Sequence, residues 1–384
     1  MSPRGPTIRI VETLSGIEPA AWNALAGDHP MLSHGFLHAM HETGCASAKA
    51  GWHPQFITAW DGQTLVGAMP LYLKSHSYGE YIFDWAWADA YQRNGLDYYP
   101  KLLSAIPFSP VGASKLLAAD DITRHALIKA ALAFAQETSS LHILFPTEAE
   151  LSLLEGEQML TRRGVQFHWF NDRYASFDDF LARFSHDKRK KIKQERRKVR
   201  DAGITFKWLV GADITTADWA FFNRCYRSTY RAHHSTPYLN LDFFHEIGAQ
   251  LPDNLLMVVA FQDGQPIAAA FNVFNNKTLY GRYWGTTGFH SGLHFETCYY
   301  QAIAFCIERG IEVFEGGAQG EHKLARGFTP VEIRSAHWLK HPQFAVAIER
   351  FLDKEAKGIA HYIDELNEHT PFKTVKGEDV NGEK

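Results

Sequence analysis

The side chains best suited to chemistry lie in a charged loop that follows a short, mostly apolar strand. The strand covers residues 311–314, Gly316 and Gly317 end it, and a polar segment follows. The titratable or cationic side chains of that segment are Glu321, His322, Lys323 and Arg326. Because α/β proteins bind ligands at the carboxyl ends of strands, this order predicts a catalytic loop with proton acceptors and two anion-binding groups. The alternative is an exposed loop of solvated charges. The glycines, which let backbone approach a ligand closely, favour the catalytic interpretation.

A second set of candidates combines aromatic and charged residues near the ends of two predicted aromatic strands, 81–85 and 279–284. Aromatic walls with a few polar groups are typical of ligand pockets. The predicted substrate-binding residues are Asp84, Trp87, Asp89, Arg93, Tyr283 and Trp284. A structural ion pair within a loop is the alternative for the charged members of the first segment.

A helix of unusual charge is predicted over residues 178–201, where Ser176 is the expected cap and a thin apolar stripe the only packing face. Its basic run extends from Lys188 to Arg200. Such a run is either a solvated bridging helix or a contact for phosphates of RNA or of a nucleotide-linked substrate. The predicted anion-binding residues are Lys188, Arg189, Lys190 and Lys191.

Length and composition describe a globular protein of two domains. The chain has 384 residues, of which 45% are hydrophobic and 21% charged, and its net charge is -4. A chain of this length exceeds one ordinary core, and its net charge makes any anion binding local. Four cysteines without metal-ligand spacing indicate free thiols in a reducing compartment. No apolar run reaches membrane-spanning length, so we expect a cytoplasmic protein with a polar, frayed tail after residue 372.

The predicted elements occur twice in the same order. Each copy has one strand, two helical segments, an antiparallel meander with an Asp-Gly turn, an amphipathic helix and a buried strand. The first copy covers residues 8–11, 20–42, 56–60, 65–73, 81–85, 123–138 and 141–145; the second covers 204–210, 217–250, 256–261, 267–274, 279–284, 295–309 and 311–314. This repeat divides the chain into domains at 1–175 and 204–372, a basic connecting helix at 176–203 and a flexible tail at 373–384.

The order of elements matches the GNAT acyltransferase fold, and its duplication resembles the Fem-type peptidyl transferases. The sequence is most similar to FemAB-like predicted N-acyltransferases of peptidoglycan biosynthesis or recognition. The resembling segments are 78–91, 98–101, 106–110, 188–200 and 315–330. The resemblance implies an α/β (α+β) fold of two tandem GNAT-like domains, each a mixed sheet with flanking helices, whose sheets flank a shared cleft. It also implies transfer of an acyl or aminoacyl group to an amine.

One loop departs from the GNAT pattern. In GNAT acetyltransferases the loop after the fourth strand reads Q/RxxGxG/A, and its N–H groups hold the pyrophosphate of acetyl-CoA. The matching residues 284–294 contain glycines at a different spacing, and the predicted cofactor-binding residues are Gly288, His290 and Gly292. The possible donors are acyl-CoA and aminoacyl-tRNA. The departure favours aminoacyl-tRNA, which Fem-type enzymes use and which suits the basic helix.

Other classes of site have less support. His290 and His294, like His337 and His341, have helical metal-ligand spacing but no third ligand, so no metal is predicted. GxSxG and GxxxxGK[ST] motifs are absent from the sequence. Three functions remain: a transferase acting on a small-molecule or peptide amine, a non-catalytic module that binds a peptidoglycan precursor or another anionic ligand, and an RNA-binding protein, which the net negative charge disfavours.

Overall fold

The computed structural model describes residues 5–317 and 320–373. It is an α/β fold with one sheet of four strands, in the order β1-β3-β4-β7, and one of eleven strands, in the order β10-β11-β12-β13-β14-β9-β15-β8-β6-β5-β2. The strands are β1 (Thr7–Val11), β2 (Trp52–Pro54), β3 (Phe56–Asp61), β4 (Thr64–Met69), β5 (Tyr72–Lys74), β6 (Lys101–Ser104), β7 (Leu117–Ala118), β8 (Ser140–Leu144), β9 (Leu160–Phe170), β10 (Ile204–Val210), β11 (Leu255–Gln262), β12 (Gln265–Phe274), β13 (Thr278–Thr286), β14 (Val313–Glu315) and β15 (Thr329–Leu339).

Helices cover both sheets. They are α1 (Pro19–Ala26), α2 (His34–Glu42), α3 (Trp85–Arg93), α4 (Asp121–Ala135), α5 (Glu148–Gly156), α6 (Phe177–Ala182), α7 (His186–Asp201), α8 (Thr216–Ala232), α9 (Leu241–Gln250), α10 (Leu293–Phe295), α11 (Gln301–Arg309) and α12 (Pro342–Glu368). A π-helical turn, Glu296–Tyr300, joins α10 to α11. Within the described residues, no helix combines the length and the apolar character needed to cross a bilayer.

The tandem GNAT-like fold class is confirmed, and the predicted repeat is visible in the hairpins. β3 and β4 are joined at Asp61-Gly62, and β11 and β12 are joined at Asp263-Gly264. Both turn glycines have positive φ, 60° and 74°, which is a conformation that glycine adopts at little cost. The register of each hairpin also shifts just before its turn, at Ala59/Trp60 and at Ala260/Phe261.

The two halves exchange their last strands. β9, from the first half, lies between β14 and β15, and β15, from the second half, lies between β9 and β8. The main sheets of the halves are therefore joined edge to edge, which differs from two sheets that only face each other across a cleft. A cut in the chain near residue 176 would not separate them. The core is also continuous, since Phe36 packs on Phe243 with ring centroids 5.6 Å apart.

Two local predictions require correction. Residues 81–85 do not form a strand: Tyr81 has a left-handed backbone with φ 65°, and α3 begins at Trp85. After β5, the next strand of the first half is β6, which begins at Lys101. The basic helix is likewise two helices, because α6 ends at Ala182 and α7 begins at His186. Ser176 caps α6 as predicted, accepting a hydrogen bond from the Asp179 N–H.

Candidate functional site

A pocket lies where two parallel strands part. β13 and β14 pair from Thr278↔Val313 to Tyr280↔Glu315, after which β14 ends and β13 continues to Thr286. The predicted buried, central strand at 311–314 corresponds to β14, which lies between β13 and β9. Gly316 leads the chain away, and a Cβ there would meet the Phe328 ring at 2.8 Å. We call the resulting cavity of about 210 Å³ the splay pocket. It is lined by Ala270, Phe271, Asn272, Gly281, Arg282, Tyr283, Trp284, His294, Cys298, Tyr299, Phe314, Gly316, Gly317 and Lys323.

Two cations line the splay pocket. Lys323 is 2% exposed, its Nζ donates to the Gly317 carbonyl at 3.0 Å, and burial lowers its pKa to about 8. Arg282 is the extra residue of a bulge in β13, opposite Phe271 and Asn272. Its guanidinium donates to the Phe108 carbonyl and to the Tyr283 hydroxyl. Because no described lining residue is acidic, the splay pocket is electropositive and suited to an oxyanion.

The helical wall of the splay pocket contains His294, Cys298 and Tyr299. Burial lowers the pKa of His294 to about 4 and raises the pKa of Cys298, so at neutral pH the imidazole is neutral and the thiol protonated. Cys298 and Tyr299 belong to the π-helical turn, and such turns recur at functional sites. The Tyr299 hydroxyl lies 3.1 Å from His322 Nε2.

The four predicted residues of the catalytic loop therefore do not all lie at the splay pocket. Lys323 lines the splay pocket, whereas His322 is exposed and reaches it through Tyr299. Glu321 does not line the pocket, and its carboxylate accepts a hydrogen bond from Tyr362 at 2.5 Å. Arg326 also lies outside the pocket, with its guanidinium 3.3 Å from the centre of the Phe295 ring.

Arg326 anchors the loop to the basic helix. It is 5% exposed, and its Nη2 lies 3.1 Å from the carboxylate of Glu195 on α7. Its Nη1 donates to the His322 carbonyl at 2.7 Å. The ion pair fixes the Arg326 side chain against α7, and its bond to the His322 carbonyl fixes the loop backbone, so Arg326 holds the loop in position from outside the pocket.

The predicted substrate-binding residues also divide. Tyr283 and Trp284 line the splay pocket. The other four belong to the segment around α3 in the first half, away from this pocket. Trp87 is buried against His337, with ring centroids 5.0 Å apart, and Asp89 forms an exposed ion pair with Arg93 at 2.5 Å.

Asp84 belongs to a buried ion network around Lys101. The Lys101 ammonium donates to the Asp84 carboxylate, to Glu80 at 2.7 Å and to Ser77 at 2.8 Å. Tyr98 donates to Asp84 at 2.6 Å. Burial opposes ionisation of Asp84, but Lys101 holds its pKa well below the usual range, whereas burial raises the pKa of Glu80 to about 7. The charges near α3 are thus neutralised within the fold.

The predicted cofactor loop runs from the end of β13 into α10. Gly288, His290 and Gly292 are not among the residues that line the splay pocket. The Gly288 N–H is hydrogen-bonded to Thr286 Oγ1 at 3.3 Å, within the loop. Gly292 has φ 81° and lies over α7, where an added Cβ would be 3.4 Å from Val199. The loop therefore connects the pocket wall with the basic helix.

The four predicted anion-binding residues occupy the first turns of α7. Lys188, Lys190 and Lys191 are exposed, and Arg189 is partly buried. Among the described residues none of the four has a carboxylate within ion-pairing distance, in contrast to Lys193 and Arg196 further along the same helix. These cations are available to an external anion.

Several lining residues were not predicted from the sequence. Arg282 is the only charged residue of β13, which is a signal that could have been used. Cys298 and Tyr299 were assigned to the packing helix 295–309 and His294 to the loop before it, because the sequence gives no sign of the π-helical turn at Glu296–Tyr300. Glu315, the last residue of β14, is half-buried, and desolvation raises its pKa to about 8, but it does not line the pocket.

Comparison with known proteins gives the family. The profile of the FemAB-like family, described as peptidoglycan biosynthesis/recognition, matches residues 13–374, so the chain belongs to that family. No curated protein matches the sequence.

Solved structures with the same fold have little sequence similarity to the chain. The crystal structure of FemX is 12% identical, covers 87% of this chain and 98% of its own, and has a TM-score of 0.55. The C-terminal domain of a putative lysylphosphatidylglycerol synthetase from Agrobacterium fabrum is 11% identical, with coverages of 86% and 94% and a TM-score of 0.54. L-PGS from Bacillus licheniformis is 10% identical, with coverages of 90% and 99% and a TM-score of 0.53. These structures show the shared fold, and the family match links the chain to peptidoglycan biosynthesis or recognition.

Proposed function

We propose that the protein is an N-acyltransferase that moves an acyl or aminoacyl group onto an amine, with the reacting carbonyl bound in the splay pocket. The observation that carries this proposal is the pair of cations, Lys323 and Arg282, in a cavity whose described lining has no carboxylate. A buried cationic cavity at the parting of two strands is costly for a fold to maintain, and such sites are commonly functional.

The chemistry follows from direct attack. The neutral amine forms a C–N bond with the carbonyl carbon, and the carbonyl oxygen becomes an oxyanion that the Lys323 ammonium and the Arg282 guanidinium stabilise. Collapse of this intermediate breaks the bond to the donor's oxygen or sulfur, and the leaving group takes up a proton. The amine's proton leaves through the Tyr299 hydroxyl to His322, which is in contact with solvent.

Both candidate donors carry phosphates at a distance from the reacting carbonyl. The free cations of α7, Lys188 to Lys191, offer them an electrostatic contact. The loop around Gly292 joins this helix to the wall of the splay pocket. Aminoacyl-tRNA, with many phosphates, fits this exposed basic surface better than acyl-CoA does. Charge-neutralising substitutions in α7 are expected to weaken donor binding and its salt dependence while leaving the melting temperature nearly unchanged.

The experiment supplies labelled aminoacyl-tRNA and labelled acetyl-CoA in parallel, with peptidoglycan precursors from bacterial cells as acceptors. Mass spectrometry of the acceptors reports the transferred group. Lys323→Met should lower transfer by roughly 10²- to 10³-fold, which is typical of a lost oxyanion contact. Glu321→Gln, two residues away and outside the pocket, is the matched control and should retain activity. Binding of a precursor without transfer from either donor would identify a binding module instead.

A further inference from the structure

A second pocket, between the two halves, has no acidic or basic side chain other than histidine in its described lining. We call this cavity of about 450 Å³ the inter-half pocket. Cys45, His76, Tyr78 and Phe108 of the first half form one side, and residues 234–238 of the second half form the other. None of its described lining residues is Lys, Arg, Asp or Glu. Its polar groups are imidazoles and hydroxyls, which exchange hydrogen bonds with uncharged partners.

Aromatic rings form the walls of the inter-half pocket and are held in place. The Phe108 and Tyr238 rings stack with centroids 4.7 Å apart and planes 8° from parallel. The Tyr78 carbonyl accepts hydrogen bonds from Trp52 Nε1 at 3.2 Å and from Lys74 Nζ at 3.3 Å. The Tyr78 ring remains 58% exposed. A firmly anchored aromatic residue with an open face is a surface for stacking rather than part of a core.

Phe108 connects the two pockets. Its ring lines the inter-half pocket, whereas its carbonyl accepts hydrogen bonds from Arg282 and, at 3.0 Å, from Tyr283, both of which line the splay pocket. Its backbone is left-handed, with φ 56°, which is uncommon for phenylalanine. Gly79 allows this arrangement, because a Cβ there would come within 2.5 Å of the Phe108 ring. Strained residues of this kind concentrate at functional sites.

We propose that the inter-half pocket binds an uncharged pyranose ring of the acceptor and so presents the acceptor's amine to the splay pocket. A pyranose has an apolar face for Tyr78 and Tyr238 and hydroxyls for His76 and the Ser235 and Thr236 side chains. The described lining offers no charged side chain to phosphate or carboxylate groups, which the cationic splay pocket attracts. The family's link to peptidoglycan, a sugar polymer, agrees with this ligand class. This inference rests on the proposed transferase function.

The test measures binding of N,N′-diacetylchitobiose, a neutral disaccharide, by saturation-transfer NMR and calorimetry. The wild-type protein should bind it saturably at millimolar concentrations. Tyr78→Ala and Tyr238→Ala should each weaken binding by roughly 3- to 10-fold, the effect of one lost aromatic contact, and Tyr238→Phe should retain it. Phe351→Ala, which removes a half-exposed ring on α12, is the control and should have no effect.

The outcome is separable from the proposed function. Lys323→Met should lower transfer by roughly 10²- to 10³-fold and leave disaccharide binding unchanged, because Lys323 does not line the inter-half pocket. Transfer to a sugar-free amine with no disaccharide binding would overturn the inference while retaining the enzyme. Binding that survives both tyrosine-to-alanine substitutions would also overturn it, since the sugar would then bind elsewhere.

Discussion

Each half contains a corresponding pair of parallel strands, but the pair has a different role in each half. In the second half, β13 and β14 follow this plan and part around a cationic pocket. In the first half, β6 and β8 are the corresponding pair, and every residue of β6 is buried. The ammonium at the start of β6, Lys101, is bound by Glu80 and Asp84, whereas Lys323 and Arg282 line a cavity whose described lining contains no carboxylate.

The difference separates structural charge from functional charge. Because the Lys101 ammonium lies against two carboxylates inside the fold, most of its field is neutralised there, so this network offers little electrostatic attraction to a ligand. Cations next to a cavity keep their field, which is what binding of a developing oxyanion requires. We infer that duplication left one half as a scaffold and the other with the chemistry.

The largest expected effect is a loss of stability when the ion network around Lys101 in the first half is broken. Lys101→Met leaves Asp84 buried without its ammonium partner and Glu80 with only Lys74 at 3.6 Å, which should lower the free energy of unfolding by about 3–5 kcal/mol. Urea denaturation measures this loss, and transfer per folded molecule should be unchanged. The control is Lys129→Met on an exposed face of α4, which should change stability by less than about 0.5 kcal/mol. An unaltered unfolding midpoint for Lys101→Met would mean that the network is not structural.

The pH dependence of transfer tests the role of Lys323 in the splay pocket. Burial lowers the pKa of Lys323 from 10.5 to about 8, so the ammonium is present below that pH and lost above it. If the ammonium stabilises the oxyanion, the rate should fall as the pH rises through about 8, and Lys323→Arg should remove this decline. A rate that instead rises through the same range would make Lys323 a base.

Unfolding does not account for the expected decline in rate. The unfolded chain keeps this proton up to about its ordinary pKa of 10.5, whereas the folded chain releases it near pH 8. The unfolded state therefore binds more protons between these values, and the contribution of Lys323 to stability rises with pH there. A melting temperature measured at each pH provides the control.

The contrast between the halves was only partly visible in the sequence. Hairpins, the repeat and the buried strand at 311–314 depend on local patterns, and the structure has them close to the predicted residues. The exchange of β9 and β15 depends on pairings between distant segments, such as Thr329 with His168, which no local pattern encodes. The aromatic run 81–85 resembles a strand, but the buried partners of Asp84 decide otherwise, and they follow it by 14 and 17 residues.

Substitutions of His322 and Tyr299 test the proposed proton route. His322→Ala and Tyr299→Phe each break the 3.1 Å contact between ring and hydroxyl, and each should lower transfer by roughly tenfold, less than a direct acid–base group would cause. Because both act in one route, the double variant should lose no more than either single variant. Additive losses would show two independent roles. Transfer rates and melting temperatures of the wild type, the two single variants and the double variant, measured at one pH, decide between these outcomes.

The smallest expected effect belongs to Asp89 and Arg93, which the sequence suggested as substrate-binding residues. Their ion pair lies on the exposed side of α3, with both side chains more than half accessible to water. Solvent screening and the entropy of two long side chains leave such pairs worth about 0.5 kcal/mol or less. Replacing both with alanine should therefore leave the unfolding midpoint nearly unchanged. It should also leave transfer unchanged, because neither residue is among the described residues that line the two pockets. A clear loss of transfer with normal stability would place α3 on the path of a substrate, and the first half would then share in the chemistry that we assign to the second.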